Sequence, residues 1–225
     1  PVEPDTEGLP ELPEGWCWTT IGGVAECLDR LRVPVSKKVR ANRLGDVPYY
    51  GANGQVGWID EPLFDEPLVL VVEDETFTGR TKPFCYLIDG PSWANNHAHV
   101  LRPTDAVLPG FLNFSLAHYP FTPLTTGTTG RRKLTQKVMM AAPYPLPPLA
   151  EQERVVDRLE GEVSLVDAIG ERVGGDQRRC QRLRQSILKW AFEGKLADQN
   201  PDDEPASVLL ERIRTEREAE KPKKK

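Results

Sequence analysis

The chain has 225 residues, of which 39% are hydrophobic and 28% charged, so it holds one substantial core and at most two domains. No apolar run reaches the ~18 residues of a membrane span, and the acidic, Pro-rich start does not read as a secretory signal. The net charge of −5 excludes a uniformly basic surface, although its distribution is uneven.

Residues 1–15 carry Glu3, Asp5, Glu7, Glu11 and Glu14 with four prolines and no base, which reads as a linker. Without that stretch, residues 16–148 hold 13 basic and 12 acidic side chains, with bases clustered at Arg30–Arg43 and Arg131–Lys137. Cys17, Cys27, Cys85 and Cys180 are scattered with no CxxC pair, which predicts free thiols in a reducing cytoplasm and no zinc site. Trp16 and Trp18 open the globular part, and Thr20 is placed to cap a short helix over 21–28.

The middle of the chain predicts strands at 47–50, 55–59, 68–73, 84–88 and 97–102, separated by Gly, Pro and Asn turns. Leu68 to Val72 is an unbroken apolar run, the pattern of a buried strand. Tyr49-Tyr50-Gly51-Ala52-Asn53-Gly54-Gln55 predicts a hairpin with Asn53-Gly54 as a type I′ pair. Its amides are also of the kind that contact adenine from a hairpin tip. Glu73-Asp74-Glu75 reads either as a solvated loop or as a divalent-cation site, and a carboxylate there is also able to accept from cytosine. Asn95-Asn96-His97-Ala98-His99 places two imidazoles on one strand face. With no further His or Cys at ligand spacing, stabilisation of the loop by the asparagines is the better reading than a metal site.

Pro109 predicts the start of a helix through Phe111, Leu112, Phe114 and Leu116, and Thr135 caps another turn through Met140. Between them, Thr125 to Leu134 reads TTGTTGRRKL. Small hydroxylated residues followed by Arg131, Arg132 and Lys133 suit close approach to phosphate, although a flexible surface loop has the same composition. The spacing is not that of a P-loop, and no catalytic triad or GxGxxG element stands out.

Residues 143–160 read PYPLPPLAEQERVVDRLE: a proline-rich arm in extended conformation hands over to a helix whose first turn is acidic. Leu159, Val166, Val173, Cys180 and Ile187 recur every seven residues, with Val155, Ile169, Leu183 and Trp190 in the companion position. This a/d seam predicts a coiled coil over about 150–192, roughly 60 Å long; the other reading is a helix packed on its own domain, which a domain of about 150 residues would not easily cover. Glu162 and Asp176 are polar members of the seam, and Gly161, Gly170, Gly174 and Gly175 weaken the helix. After a break at 198–205, Pro205 opens an amphipathic helix bearing Val208, Leu209 and Ile213, and Lys221 to Lys225 form a basic tail.

With these segments placed, the sequence resembles the specificity subunit of type I restriction–modification systems. Leu12-Pro13-Glu14-Gly15-Trp16 is similar to the entry of a target recognition domain. Tyr49 to Gly54 and Trp93 to Val100 resemble one class of these domains, and Thr126 to Leu134 resembles its DNA-approaching loop. Leu146 to Glu153 and Leu183 to Leu196 resemble the signatures of the family's conserved helical region. The resemblance implies an α+β protein: a linker at 1–15, a β-rich target recognition domain at 16–148, a coiled-coil spacer and docking helix at 149–197, and a C-terminal helix and tail at 198–225.

It also implies a non-catalytic reader of double-stranded DNA, cytoplasmic in a prokaryote, without cofactor or metal, that holds methyltransferase and endonuclease subunits. The candidate DNA contacts are Tyr50, Asn53, Gln55, Thr78, Arg80, Asn96, Thr126, Thr128, Thr129, Arg131, Arg132 and Lys133. Family members usually carry two recognition domains joined by two antiparallel helices, and this chain has one of each. It is then a half subunit that dimerises or one half of a longer chain, and its linker-like start favours a C-terminal half. Two other readings stay open: a stand-alone dimeric DNA-binding regulator, and a metal-dependent nuclease using Glu73, Asp74 and Glu75.

Overall fold

The computed structural model describes residues 4–74, 77–128 and 131–219. Its contacts form two units, one up to Val163 and one from Ser164. The first is a mixed α+β body. A four-stranded antiparallel sheet runs in the order β2 (Ala25–Cys27), β9 (Ala98–Pro103), β6 (Leu68–Val72), β7 (Cys85–Ile88). A second has the order β4 (Gly54–Ile59), β3 (Val47–Gly51), β8 (Pro91–Ala94), β5 (Phe64–Asp65), with β3 and β8 parallel. Two pairs complete it: β1 (Cys17–Thr20) with β12 (Pro143–Leu146), and β10 (Thr126–Thr128) with β11 (Arg131–Lys133).

The run Leu68–Val72 is buried throughout because β6 lies inside its sheet with a core on each face. Val69 and Val71 enter a cluster with Leu101, Phe111, Leu112, Leu116, Phe121, Leu134 and Tyr144. Leu68 and Leu70 enter another with Leu28, Phe64, Ile88 and Val100. Helices α1 (Ile21–Val24), α3 (Pro109–Ala117) and α4 (Gln136–Ala141) supply residues to the first cluster. Val47, Tyr49, Ile59 and Trp93 make a third, smaller core.

Three expectations are corrected. Thr20 caps α1, accepting from the Gly23 N–H at 3.1 Å, but the helix ends at Val24 rather than 28. Gly22 and Gly23 weaken it, and Ala25–Cys27 is claimed as a strand by β9. The hairpin joining β3 and β4 turns on Ala52-Asn53, since Gly51 pairs with Gly54. Neither central residue has positive φ, so the turn is not type I′; the left-handed requirement falls on Gly54 at φ 112°. Tyr50 faces Gln55 while Tyr49 faces Gly57, which leaves Val56 as a bulge residue. The proline arm is extended as predicted, but it also pairs: β12 is an edge strand on β1, a place where prolines are tolerated.

α5 runs unbroken from Leu149 to Phe192. Its first turns belong to the β-rich unit, through Val155 and Val156 against the first core. Gly110 makes room for them, because a Cβ there would meet Val156 at 3.1 Å. Gln152, 0% exposed, is locked by its amide. Its Oε1 accepts from the Leu108 N–H at 2.8 Å, and its Nε2 donates to Ala106 O at 3.0 Å and Pro147 O at 2.9 Å. In the second unit α5 stops on Gly194 at φ 69°, where the Lys195 N–H reaches back to Trp190 O at 2.9 Å. α6 (Ala206–Ala219) follows. Among the described residues no helix is long and apolar enough to cross a membrane.

Gln152→Ala removes hydrogen bonds to one buried and two part-buried backbone groups and is expected to destabilise the β-rich unit by roughly 2 kcal/mol, at about 0.5–1 kcal/mol for each lost bond. Glu153→Ala on the exposed face is expected to stay within about 0.5 kcal/mol. Urea unfolding of both variants checks the difference.

Candidate nucleic-acid interface

The tip of the β3–β4 hairpin and the loop before β7 enclose a groove of about 340 Å³ lined by Ala52, Asn53, Gly54, Arg80, Lys82, Pro83, Cys85 and Tyr86. Among the described residues no acidic side chain lines it. The Arg80 guanidinium donates to Asn53 Oδ1 at 2.8 Å and, through Nη2 and Nε, to Pro83 O at 2.7 and 3.2 Å. It lies 5.6 Å from the Phe84 ring centre. Asn53 therefore orients an arginine as well as presenting an amide. Tyr50 tilts against Tyr86 at 5.9 Å, and the Tyr86 hydroxyl donates to Gly51 O. Gln55 is exposed and donates to Gly57 O at 3.1 Å, while Trp58, 55% exposed, stands farther along β4. Thr78 and Asn96 are exposed on turns.

α2 (Lys37–Arg40) is a single basic turn capped by Ser36. Arg40 lies 4.3 Å from the Tyr49 ring centre, and a Cβ at Gly57 would meet its guanidinium at 3.5 Å. The glycine lets the arginine lie across the hairpin. Lys37 and Lys38 are exposed beside it. The candidate site residues chosen from sequence omit Lys37, Lys38, Arg40 and Lys82. The signal for the first three was the basic cluster from Arg30 to Arg43; for Lys82, a lone lysine in a loop, there was none.

The β10–β11 hairpin is tied down at both ends. Arg132 donates from Nε to Thr125 Oγ1 at 2.6 Å and from Nη2 to Thr125 O at 2.8 Å. Lys133 Nζ pairs with Glu73 Oε1 at 2.8 Å. Thr126 is exposed. Thr129 and Gly130 lie outside the described residues, as do the side chains of Thr128 and Arg131.

Beneath the hairpin is an ionic cluster. Arg32 Nη1 donates to Glu73 Oε2 at 2.6 Å and Ala98 O at 2.7 Å, and its Nη2 lies 3.1 Å from Asp29 Oδ2. His99, 1% exposed, places Nδ1 2.5 Å from Asp29 Oδ2 and donates from Nε2 to Leu134 O at 2.9 Å. The Val100 N–H donates to Asp29 Oδ1 at 3.0 Å.

Burial pushes the Glu73 carboxyl upward, but hydrogen bonds from Lys133 and Arg32 outweigh it and hold the group below its ordinary 4.5. Asp29 is likewise burdened by burial, and the bonds to His99 and the Val100 N–H, with Arg32, hold it below 3.8. The same pairing holds the Lys133 ammonium above 10.5.

The two imidazoles do not converge. His97 is exposed and pairs with Asp74 at 2.8 Å, whereas His99 faces the interior. Nor do the neighbouring acids: Glu73 is buried in the cluster, Asp74 faces His97, and Glu75 lies outside the described residues. Asn95 Oδ1 accepts from the His97 N–H at 2.8 Å and stabilises the loop. Donor atoms of Cys27, Asp29 and His99 do lie within 4.8 Å of one another. Arg32 already occupies Asp29, however, and burial pushes the Cys27 thiol up to about 12, so the trio reads as part of the hydrogen-bonded network.

Along α5 the predicted seam faces solvent. Leu159, Val166, Ile169, Val173, Leu183, Ile187 and Trp190 are all exposed, Val166 by 65%, and so is Cys180.

Depressed carboxyl values give a defined acid response. The stability that Glu73 and Asp29 confer is complete above their ordinary values and is lost as pH falls through their lower folded values. Glu73→Gln removes Glu73's share. The difference in melting temperature between wild type and this variant is expected to be constant at neutral pH and to narrow below about pH 4. Circular dichroism melts across that range check it.

Residues 13–166 match the model of the type I restriction modification DNA specificity domain. A Haemophilus influenzae protein named as a type I restriction enzyme specificity subunit is 30% identical over 148 residues, 66% of this chain and 37% of that one. The Escherichia coli type I restriction enzyme EcoDI specificity subunit is 27% identical over 235 residues, 96% of this chain and 52% of its own. A solved structure concerned with assembly and conformational transition of the type I R-M system contains a chain that superposes with a TM-score of 0.67 at 24% identity. The match covers 84% of this chain and 48% of that one. The chain thus spans about half the length, or less, of the relatives it matches.

Proposed function

Since this chain belongs to the type I restriction modification DNA specificity family, we propose that it reads a double-stranded DNA sequence for a type I restriction–modification complex and has no catalytic activity of its own. The observation that carries this is the family match over residues 13–166, which takes in the groove at Asn53, the β10–β11 hairpin and the start of α5. Arg80, Asn53, Gln55, Tyr50, Thr78 and Asn96 are proposed to face base edges. The basic turn at Lys37–Arg40 and the β10–β11 hairpin, with Thr126, Thr128, Thr129, Arg131 and Arg132, are proposed to face the backbone. Methylation and cleavage then come from methyltransferase and restriction subunits docked on the helical region, in the cytoplasm of a prokaryote.

A reader of half length needs a second half, and α5 carries features suited to one. Residues 149–171 hold seven acidic and two basic side chains, and residues 172–192 hold one acidic and six basic. An equivalent helix laid antiparallel along the seam brings acidic half against basic half in both directions. The second half is a further copy of this chain or a homologous segment of a longer one.

The purified chain is expected to transfer no methyl group from adenosylmethionine and to cut no DNA with magnesium, whereas adding the cognate methyltransferase subunit creates sequence-specific methylation. Robust turnover by the chain alone, abolished by a point change within it, overturns the adaptor reading in favour of a nuclease or other enzyme. Full sequence-specific binding with no association of a methyltransferase subunit favours the stand-alone regulator. Val173→Asp places a carboxylate in the seam, where burial without a partner costs several kcal/mol, roughly 3 or more. Light scattering is expected to show a smaller assembly, with the β-rich unit melting as in wild type. An unchanged mass removes the seam from the interface.

A further inference from the structure

We propose that Lys133 is a positioning residue, which pins the β10–β11 hairpin through the buried Glu73 to the ionic cluster beneath it, and is not itself a contact to the DNA backbone. The proposal rests on the reading of that hairpin as DNA-facing. Sequence alone groups Lys133 with Arg131 and Arg132 as phosphate contacts, and the geometry separates it from such a role.

The two Glu73 oxygens are divided between two cations, Oε1 to Lys133 at 2.8 Å and Oε2 to Arg32 at 2.6 Å. Glu73 is 7% exposed. Drawing Lys133 away to a phosphate would leave a buried carboxylate with half its compensation, which is the costly way to break such a pair. The cluster also fixes the next residue by its backbone. The Leu134 N–H donates to Glu73 O at 2.9 Å, and Leu134 O accepts from His99 Nε2 at 2.9 Å. The Leu134 side chain is fully buried. The opposite strand is held through Thr125, which receives Arg132 and whose Oγ1 donates to Thr122 O at 2.7 Å. Lys133 thus closes a set in which Arg32 and Lys133 meet Asp29 and Glu73 around His99. A cation that keeps its carboxylate partner and touches no phosphate releases no counterion from DNA when the complex forms.

The test is equilibrium binding of the full chain to a mixed-sequence duplex as a function of salt, together with hydrogen exchange of the 126–134 segment. Lys133→Gln is expected to weaken binding about threefold to tenfold with the salt slope unchanged, and to lower exchange protection in that segment alone. Lys133→Arg, which keeps the ion pair, is expected to restore both. Adding Lys133→Gln to Glu73→Gln is expected to cost nothing further, because the pair is already broken. If Glu73→Gln fails to fold, the two Lys133 variants still decide, since Lys133 is exposed. A slope shallower by about 0.9 in Lys133→Gln, the signature of one lost phosphate contact, overturns the proposal. So does unchanged affinity or unchanged protection. The DNA-facing reading is tested separately by Arg131→Ala, where a slope shallower by about 0.9 supports it. A wild-type slope there withdraws the hairpin from the DNA interface, and hydrogen exchange in the Lys133 variants still shows whether the lysine positions it.

Discussion

A side-chain amide, with Val155 and Val156 packed on the core beside it, holds the start of the long helix to the β-rich body. Gln152 uses an acceptor and two donor hydrogens on three backbone groups that have no other described partner in place, from Ala106, Leu108 and Pro147. No shorter, apolar or charged side chain offers the same set: Asn lacks the reach, Leu satisfies none, and Glu would turn an acceptor toward two carbonyls. The surrounding prolines are part of the same solution. Pro147 and Pro148 fix the backbone before the helix, and the Pro148 carbonyl takes the first helical N–H bonds from Glu151 and Gln152. The string from Leu146 to Glu153 is therefore a mechanical joint, and its one buried polar residue, Gln152, is what makes it specific.

The ionic cluster around Glu73 performs a comparable task between segments distant in sequence. It joins the turn at Asp29, the end of β6, the start of β9 and the residue after β11. Buried charge is rarely the cheapest source of stability, because desolvation offsets much of the attraction. What it supplies is a defined geometry, since each partner is satisfied in one arrangement only. In a surface proposed to meet DNA, that geometry has value: loops that arrive already ordered lose less entropy on binding. The Asn53–Arg80 pair on the other hairpin follows the same logic at smaller scale. There an amide and a proline carbonyl hold a guanidinium that would otherwise sample many rotamers.

Much of the fold was legible in the sequence. The unbroken apolar run at Leu68–Val72, the Pro109 helix and the caps at Thr20 and Thr135 each obey a local rule that nothing in the tertiary structure contradicts. The failures have a common cause. The helix after Thr20 was cut short by a strand pairing with β9 that lies more than seventy residues away in sequence. The hairpin turn moved by one residue because a bulge at Val56 resets the register. Short strands such as β5, β8 and β12 carry too few residues for periodicity to register. The candidate site was legible as residue types and not as roles. Arg132, Lys133 and Glu73 look alike as exposed polar groups in sequence, whereas the structure gives each an internal partner. Gln152 gave no compositional signal at all.

α5 presents the opposite case, in which the sequence pattern asks for something the isolated chain does not contain. Four glycines in its interior each cost about 1 kcal/mol of helix stability relative to alanine, and Glu162 and Asp176 interrupt the seam. A helix so built is marginal on its own in water, and propensity does not explain why it should persist over 44 residues. The seam side chains, Leu159, Val166, Ile169, Val173, Leu183, Ile187 and Trp190, are exposed. In the proposed pairing, burying them against a second helix supplies the free energy that the glycines forgo. The polar seam positions and the change from acidic to basic along the helix penalise a wrong register or orientation more than they penalise pairing itself. Under the proposed pairing, folding of this helix and choice of its partner are one equilibrium, in which weak intrinsic helicity makes the correct partner a condition of order.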